Sequence, residues 1–332
     1  MSILRLTDPS HLPDHLKGAV VAIGNFDGVH RSHQAVLERA LEAAQVEGKP
    51  SLVLTFEPHP RSVFVPDQPV DRLTPAAEKA SILEALGFDE VIECHFTREF
   101  SQLTADVFVD RILVDGLAAS RIVTGFDFHF GKNRQGGPAF LMDAGEKRGF
   151  HVTLVDAFRD EGGHAISSSR IRALFGEGEV VEAAGLLGYR HRVRAEVIAG
   201  KQLGRTIGFP TANMVLPPET HLKYGIYAVR FRRADGTLYD GVASFGRRPT
   251  VDTDGEPLLE TYVFDFAGNL YGEVCAVSFF GYLRGEEKFD GLEPMMQQIR
   301  RDEEEARALL SGVKPFSPLD QSINFDLVNY LP

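Results

Sequence analysis

The sequence predicts two modules in one chain. The first is an α/β module on a parallel sheet, and the second is an antiparallel β-barrel with a closing helix. Three observations predict this. Strand and helix periods alternate up to about residue 155, paired strands with tight turns follow from about residue 190, and 332 residues is long for a single domain. The boundary is expected near residues 184–191, around GLLGYRH, giving domains 1–186 and 187–332.

The elements follow in order. AVVAI (19–23) is an apolar strand. Val36, Leu37, Ala40, Leu41 and Ala44 then form the apolar stripe of a helix that Gly48 stops. SLVLTF (51–56) is the next strand, so 19–56 reads as a βαβ unit. Thr74-Pro75 looks like an N-cap with proline at the first helical position, and Gly87 ends that helix. VIECHF (91–96), RIVTG (121–125) and HVTLV (151–155) are further strands. HRVRAEVIAG (191–200) opens the second half. YAVRFRR and TLYDGVASF flank the turn ADG as one hairpin, and LLETYVFDF and LYGEVCAVSFF flank AGN as another. A charged helix with Met295, Met296, Ile299, Leu309 and Leu310 on its apolar side closes the fold, the methionines acting as core filler.

Composition narrows the function. A net charge of −12 argues against a sequence-independent nucleic-acid partner, which needs a broad basic surface. No run reaches the roughly 18 apolar residues of a membrane span, and the start, MSILRLTDPSHLPDH, does not read as a signal peptide. Cys94 and Cys275 have neither metal spacing nor a disulfide framework, so a cytoplasmic protein is expected. The sequence fixes no oligomeric state.

GNFDGVHRSHQ (24–34) lies at the end of the first strand, and carboxyl ends of parallel strands are where such sheets bind ligands. A zinc site needs three or four ligands, whereas His30 and His33 enclose Arg31 and Ser32 and no second cluster exists. A glycine turn before a helix N-terminus suits an anion, and histidines there add donors to a phosphate. Elsewhere, GRTIGFPTAN (204–213) lacks the Walker A pattern and GEGEVV (176–181) lacks the third glycine of a dinucleotide fingerprint. Taken alone, PTAN reads as a turn, and Phe128 and Phe130 alternate like core strand residues.

GNFDGVHRSHQ resembles the nucleotidylyltransferase signature, in the longer form found in the bifunctional bacterial FAD synthetases (riboflavin kinase/FMN adenylyltransferase). The resemblance continues in order through TFEPHP (55–60), GFDFHFGKNRQG (125–136), ISSSRIR (166–172), GFPTAN (208–213) and YLRGEEKF (282–289). It implies a nucleotidylyltransferase-like (Rossmann-like) first module and a riboflavin kinase barrel. ATP is the implied substrate of both modules, Mg²⁺ the metal, riboflavin and FMN the other substrates, and FMN and FAD the products. It also implies that His30 and His33 act on ATP phosphates, with Gly24, Asn25, Phe26 and Asp27 shaping the nucleotide pocket. Ser168, Ser169 and Arg172 would hold the triphosphate, and Asp127, Phe128 and Phe130 would line the flavin site. In the kinase, Gly204, Arg205 and Gly208 would form the phosphate loop, Thr211 and Asn213 would hold Mg²⁺, and Glu260 would be the base.

Three residues depart from the family pattern. Ser32 replaces the glycine of H-x-G-H. It is expected either to crowd the phosphates or take a positive φ, or else to cap the following helix. Ser169 replaces a threonine and keeps its hydroxyl, and Tyr262 stands where a histidine is frequent. Alternation puts Glu260, Tyr262 and Phe264 on one face, taken to be the inner face of the barrel, where a glutamate needs a role. Two narrower readings use the same residues: a kinase whose adenylyltransferase site is impaired by Ser32, and a flavin carrier without turnover.

Overall fold

The computed structural model describes residues 3–200, 204, 207–247 and 257–326. It divides into two compact units. One runs up to Val70 and resumes over Thr74–Ser167, and the other takes Asp71–Leu73 and continues from Ser168.

The first unit is a six-stranded, wholly parallel sheet. Its strands are β1 (Leu4–Leu6), β2 (Val20–Ile23), β3 (Ser51–Glu57), β4 (Glu90–His95), β5 (Arg121–Gly125) and β6 (His151–Val155). Helices α1 (Arg31–Glu47), α2 (Pro60–Phe64), α3 (Ala76–Leu86), α4 (Ala105–Phe108) and α5 (Pro138–Arg148) lie between them, and a π-helical stretch, Val109–Gly116, extends α4. The strand order is β1-β4-β3-β2-β5-β6. Successive crossovers step one way from β2 to β4 and the other way from β5 to β6, so the order reverses between β2 and β5. The crevice beyond the carboxyl ends at such a reversal is where open parallel sheets bind ligands. β2 is buried along its whole length because it is central and covered on both faces. Leu37, Leu54, Ile92, Leu113 and Leu141 bring the helices onto this core.

The expected strands and the helix α1 are present, and α1 and α3 stop at Gly48 and Gly87. Two features differ from expectation. β1 lies in the opening stretch, ahead of the first expected strand, and pairs with β4. Thr74 is not a helix cap: α3 begins at Ala76 with Pro75 as its N-cap, because the Thr74 hydroxyl is engaged elsewhere.

The second unit begins with α6 (Ser168–Glu177) and α7 (Val180–Leu187). A closed barrel follows, made of β7 (Arg192–Ile198), β8 (Thr211–Val215), β9 (Gly225–Arg232), β10 (Leu238–Arg247), β11 (Pro257–Val263) and β12 (Val274–Arg284) in the order β10-β11-β8-β7-β12-β9. α8 (Leu292–Gly312) and α9 (Pro318–Asn324) end the fold. The β9–β10 hairpin is present. The second expected hairpin is not: β11 pairs with β10 and β8, whereas β12 pairs with β7 and β9. Sequence alternation identifies strands but not partners, and barrel closure decides the pairing here. PTAN opens strand β8 rather than forming a turn.

Glu260, Tyr262 and Phe264 do share a face, but it is the outer one. Tyr262 and Phe264 join Ala228, Val242, Ala306 and Leu310, the last two from α8. Leu259 and Thr261 point the other way and are fully buried.

Candidate active sites

In the first unit, residues 24–30 connect β2 to α1. Gly24 has no room for a side chain, since a Cβ would meet the Phe26 ring at 2.9 Å. Phe26 (φ 48°) and Val29 (φ 38°) take left-handed backbone. That conformation is an outlier for a β-branched valine and costs about 1–3 kcal/mol, so the surroundings must enforce it. Asp27 Oδ1 accepts from Thr74 N at 3.1 Å, and Gly28 N donates back to Thr74 Oγ1 at 2.8 Å. Gln34 Nε2 donates to the Val29 carbonyl at 2.7 Å. The Lys79 side chain is fully buried, and its ammonium donates to the Asn25 carbonyl (3.2 Å), Thr55 Oγ1 (2.9 Å) and Glu57 Oε1 (2.8 Å).

His30 is the N-cap of α1, its Nδ1 accepting from His33 N at 3.4 Å. In the neutral ring this places the proton on Nε2. The His30 and His33 rings stack with centroids 3.6 Å apart, and Phe26 meets His33 edge-on at 5.4 Å. Burial, then His30, then the Lys79 charge hold the His33 imidazole well below its usual range, so it is neutral near pH 7. His33 Nδ1 is buried without a hydrogen-bond partner among the described residues. An anion at the helix N-terminus would meet this orphaned nitrogen and the positive end of the α1 dipole together.

Ser32 lies inside α1, is not among the residues with positive φ, and does not cap the helix. Its hydroxyl instead lies 3.2 Å from the Phe158 carbonyl and 3.4 Å from that of Ile166. Both conformational expectations for this residue are therefore replaced: a helical φ suits serine, and His30 already fills the cap.

Asp127, Phe128 and Phe130 follow the carboxyl end of β5, across the reversal point from the β2 loop. Asp127 and Phe128 form a turn rather than a strand, with Phe128 N donating to the Gly125 carbonyl, and Phe130 makes an antiparallel bridge with Gly136. Asp127 is exposed and Phe128 half-buried, and the Phe128 and Phe130 rings stack at 5.6 Å. Phe130 also packs on Phe108 and Phe140, which ties this wall to the core. Ser168, Ser169 and Arg172 stand on the first turns of α6, in the other compact unit from His30 and His33.

In the second unit, the barrel register aligns the expected kinase residues. Glu260 on β11 is directly opposite Asn213 on β8, and Tyr262 is opposite Thr211. Directly opposed residues project to the same side, so the four make one surface. Glu260 also opposes Ser244 on β10. Asn213 is buried and donates from Nδ2 to the Thr211 carbonyl at 3.1 Å. Gly200 closes over it, where a Cβ would lie 2.7 Å from Asn213 Nδ2. A cavity of about 290 Å³ opens beside this surface, its lining including Gly200, Gly204, Thr211, Asn213 and Asn269. The Gly204 carbonyl accepts from Phe209 N at 2.8 Å, and Gly208 takes a left-handed φ of 88°. Arg205 lies outside the described residues. Phe209 packs edge-on against Tyr262, at 5.3 Å. A carboxylate beside amide and hydroxyl oxygens suits a hard cation and can accept a proton.

Sequence reasoning missed Lys79 and Thr74. Lys79 sits in AAEKASILEAL, where a lysine reads as solvent-facing, and Thr74 reads as a helix start. No local signal marks either, because their partners lie 22–54 residues away.

A helix start bearing two stacked histidines at the reversal of a parallel sheet, joined in one chain to an oxygen-rich surface on a closed barrel, fits a two-module transferase. The FAD synthetase family model matches residues 12–170, and the riboflavin kinase model matches residues 187–310. The chain belongs to the bifunctional riboflavin kinase/FMN adenylyltransferase family. It is 41% identical over 297 residues to such a protein from Pseudomonas fluorescens, covering 90% of this chain and 94% of the relative. The protein of that description from Escherichia coli K12 is 38% identical, over 90% of this chain and 95% of its own length. A crystal structure described as a macrolide-efflux protein from Streptococcus pneumoniae superposes with a TM-score of 0.81 at 32% identity, covering 92% of this chain and 99% of that one.

Proposed function

We propose that this chain phosphorylates riboflavin to FMN in its barrel module and adenylylates FMN to FAD in its α/β module, with ATP as the second substrate of each. The functional domains are residues 1–186 and 187–332, in line with the two matched stretches. The observation that carries the reading is the presence of two separate polar constellations, His30 with His33 and Asn213 with Glu260, each within a stretch matched by a different family model.

In the barrel, the riboflavin 5′-hydroxyl gives its proton to Glu260 as its oxygen bonds to the γ-phosphorus, and the bond to ADP breaks. Gly204, Arg205 and Gly208 cover the phosphates. Thr211 and Asn213 fit Mg²⁺ because they offer neutral oxygens beside a carboxylate, leaving phosphate oxygens and water to complete its shell. When bound, the ion neutralises charge on the phosphates.

In the α/β module, an FMN phosphate oxygen bonds to the α-phosphorus of ATP and the bond to pyrophosphate breaks. The nucleophile is already ionised at neutral pH, so positioning and charge stabilisation do the catalysis. His30 and His33, at the positive end of the α1 dipole, meet the phosphates. Gly24, Asn25, Phe26 and Asp27 shape the nucleotide pocket, while Ser168, Ser169 and Arg172 hold the triphosphate. Asp127, Phe128 and Phe130 line the flavin site.

We also place the protein in the cytoplasm. Both cysteines are buried free thiols, as suits a reducing compartment, and no described helix is long and apolar enough to cross a membrane.

The test is a time course with riboflavin, ATP and Mg²⁺, separating the flavins. FMN followed by FAD is expected. FMN without FAD would reduce the reading to the kinase alone, and riboflavin bound without turnover would replace it with a carrier.

A further inference from the structure

Residues 158–166 form a small self-braced strap. Arg159 and Ala165 make an antiparallel bridge. Asp160 Oδ1 accepts from Gly162 N at 3.0 Å and His164 N at 2.8 Å, and Arg159 Nη1 donates to the Gly163 carbonyl at 2.9 Å. The strap is braced within itself, and its attachments decide where it sits.

Two of those attachments come from the residues between the histidines. The Ser32 hydroxyl, with a single hydrogen to give, lies 3.2 Å from the Phe158 carbonyl and 3.4 Å from that of Ile166, which flank the bridge, so it holds the neck of the strap from either side. Arg31 grips the tip and one side: its guanidinium reaches Glu161 through Nη1 (3.1 Å) and Nη2 (2.7 Å) and lies 5.1 Å from the Phe158 ring. Arg31 and Ser32 thus hold the strap on the same first turn of α1 that carries the stacked histidines.

We propose that Arg31 and Ser32 are positioning residues for adenylyl transfer, fastening the 158–166 strap onto the phosphate-binding end of α1 as a fixed wall. This rests on the adenylyltransferase reading above. The serine that replaces glycine in the H-x-G-H pattern is then a latch. Glycine has no hydroxyl with which to hold the neck of the strap. Arg31 is the weaker fastener, because Glu161 is largely exposed and water screens the pair. A wall held in register keeps the triphosphate aligned for in-line attack, and a loosened wall weakens nucleotide binding first.

The test compares wild type with Ser32→Ala, Ser32→Gly and Ser32→Thr. Amide hydrogen exchange of residues 158–166 is read alongside KM and kcat for FAD formation from FMN, and riboflavin phosphorylation by the same preparation reports folding. Loss of the hydroxyl should speed exchange of the strap amides and raise KM for ATP about 3–10-fold, the range of one lost hydrogen bond, with a smaller change in kcat. Alanine and glycine should behave alike, threonine should restore both values, and phosphorylation should not change. Unchanged exchange in Ser32→Ala would overturn the latch, and faster exchange with unchanged KM would overturn its role in the reaction. Wild-type protein that forms no FAD would remove the adenylyltransferase reading instead, and exchange would still report whether Ser32 holds the strap.

Discussion

Glu260 and Asn213 stand directly opposite one another on the antiparallel strands β11 and β8, on the surface that also carries Thr211 and Tyr262. This arrangement puts a carboxylate beside neutral oxygen donors without burying it in the barrel. Glu260→Gln keeps the shape and removes the proton acceptor. FMN formation should fall by about 10²–10⁴-fold with little change in the KM of riboflavin, as expected for a lost general base. FAD formation from added FMN should persist, and measuring both in one preparation separates a lost base from a lost fold.

Lys79 ties the Asn25 carbonyl to Thr55 and Glu57 from a fully buried position. Lys79→Met leaves the partly buried Glu57 without this cation and should destabilise the protein by about 2 kcal/mol in chemical denaturation, less than breaking a fully buried pair from one side because water reaches Glu57. The Lys79 charge also contributes, after burial and His30, to holding His33 neutral. In the variant, the His33 titration followed by NMR should move up toward the ordinary histidine range.

Glu90, at the start of β4, is buried with Oε1 unpartnered among the described residues, and burial raises its carboxyl from 4.5 to about 7. Below about 4.5 the group is protonated in both folded and unfolded chains. Between there and about 7 the unfolded chain releases its proton while the folded one keeps it, so stability falls as pH rises. Denaturation from pH 4 to 8 should show Glu90→Gln lacking this decline. A constant difference from wild type across the range would refute the assignment.

Thr261 Oγ1 is buried in the barrel, also without a partner among the described residues. An unsatisfied buried hydroxyl costs about 1–3 kcal/mol, so the near-isosteric Thr261→Val should raise stability by about 1 kcal/mol, measured as a shift in denaturation midpoint at constant slope.

Much of the site was legible because its chemistry is local in sequence. Gly24 through His33 lie within one loop and helix start, and Thr211 and Asn213 lie within one tetrapeptide. The Glu260 face was legible as an alternation but was assigned to the wrong side. Period two separates two faces and does not say which one meets the core, and here the closing helix buries the outer one at Tyr262 and Phe264. The pairing of β11 and β12 was misread for a similar reason, since adjacent strands in sequence invite a hairpin that barrel closure forbids.

The sequence by itself determined the two modules, the strand and helix periods and the candidate residues of each site, because periodicity and short motifs are set by neighbours along the chain. Only the tertiary structure decided which distant groups meet. Lys79 is a plain helix residue until β3 and the Asn25 carbonyl surround it. Ser32 looks like a damaged glycine turn until a strap more than a hundred residues later brings two carbonyls to its hydroxyl. Hydrogen-bond partners and burial are properties of packing, and packing joins residues whose separation along the chain carries no signal.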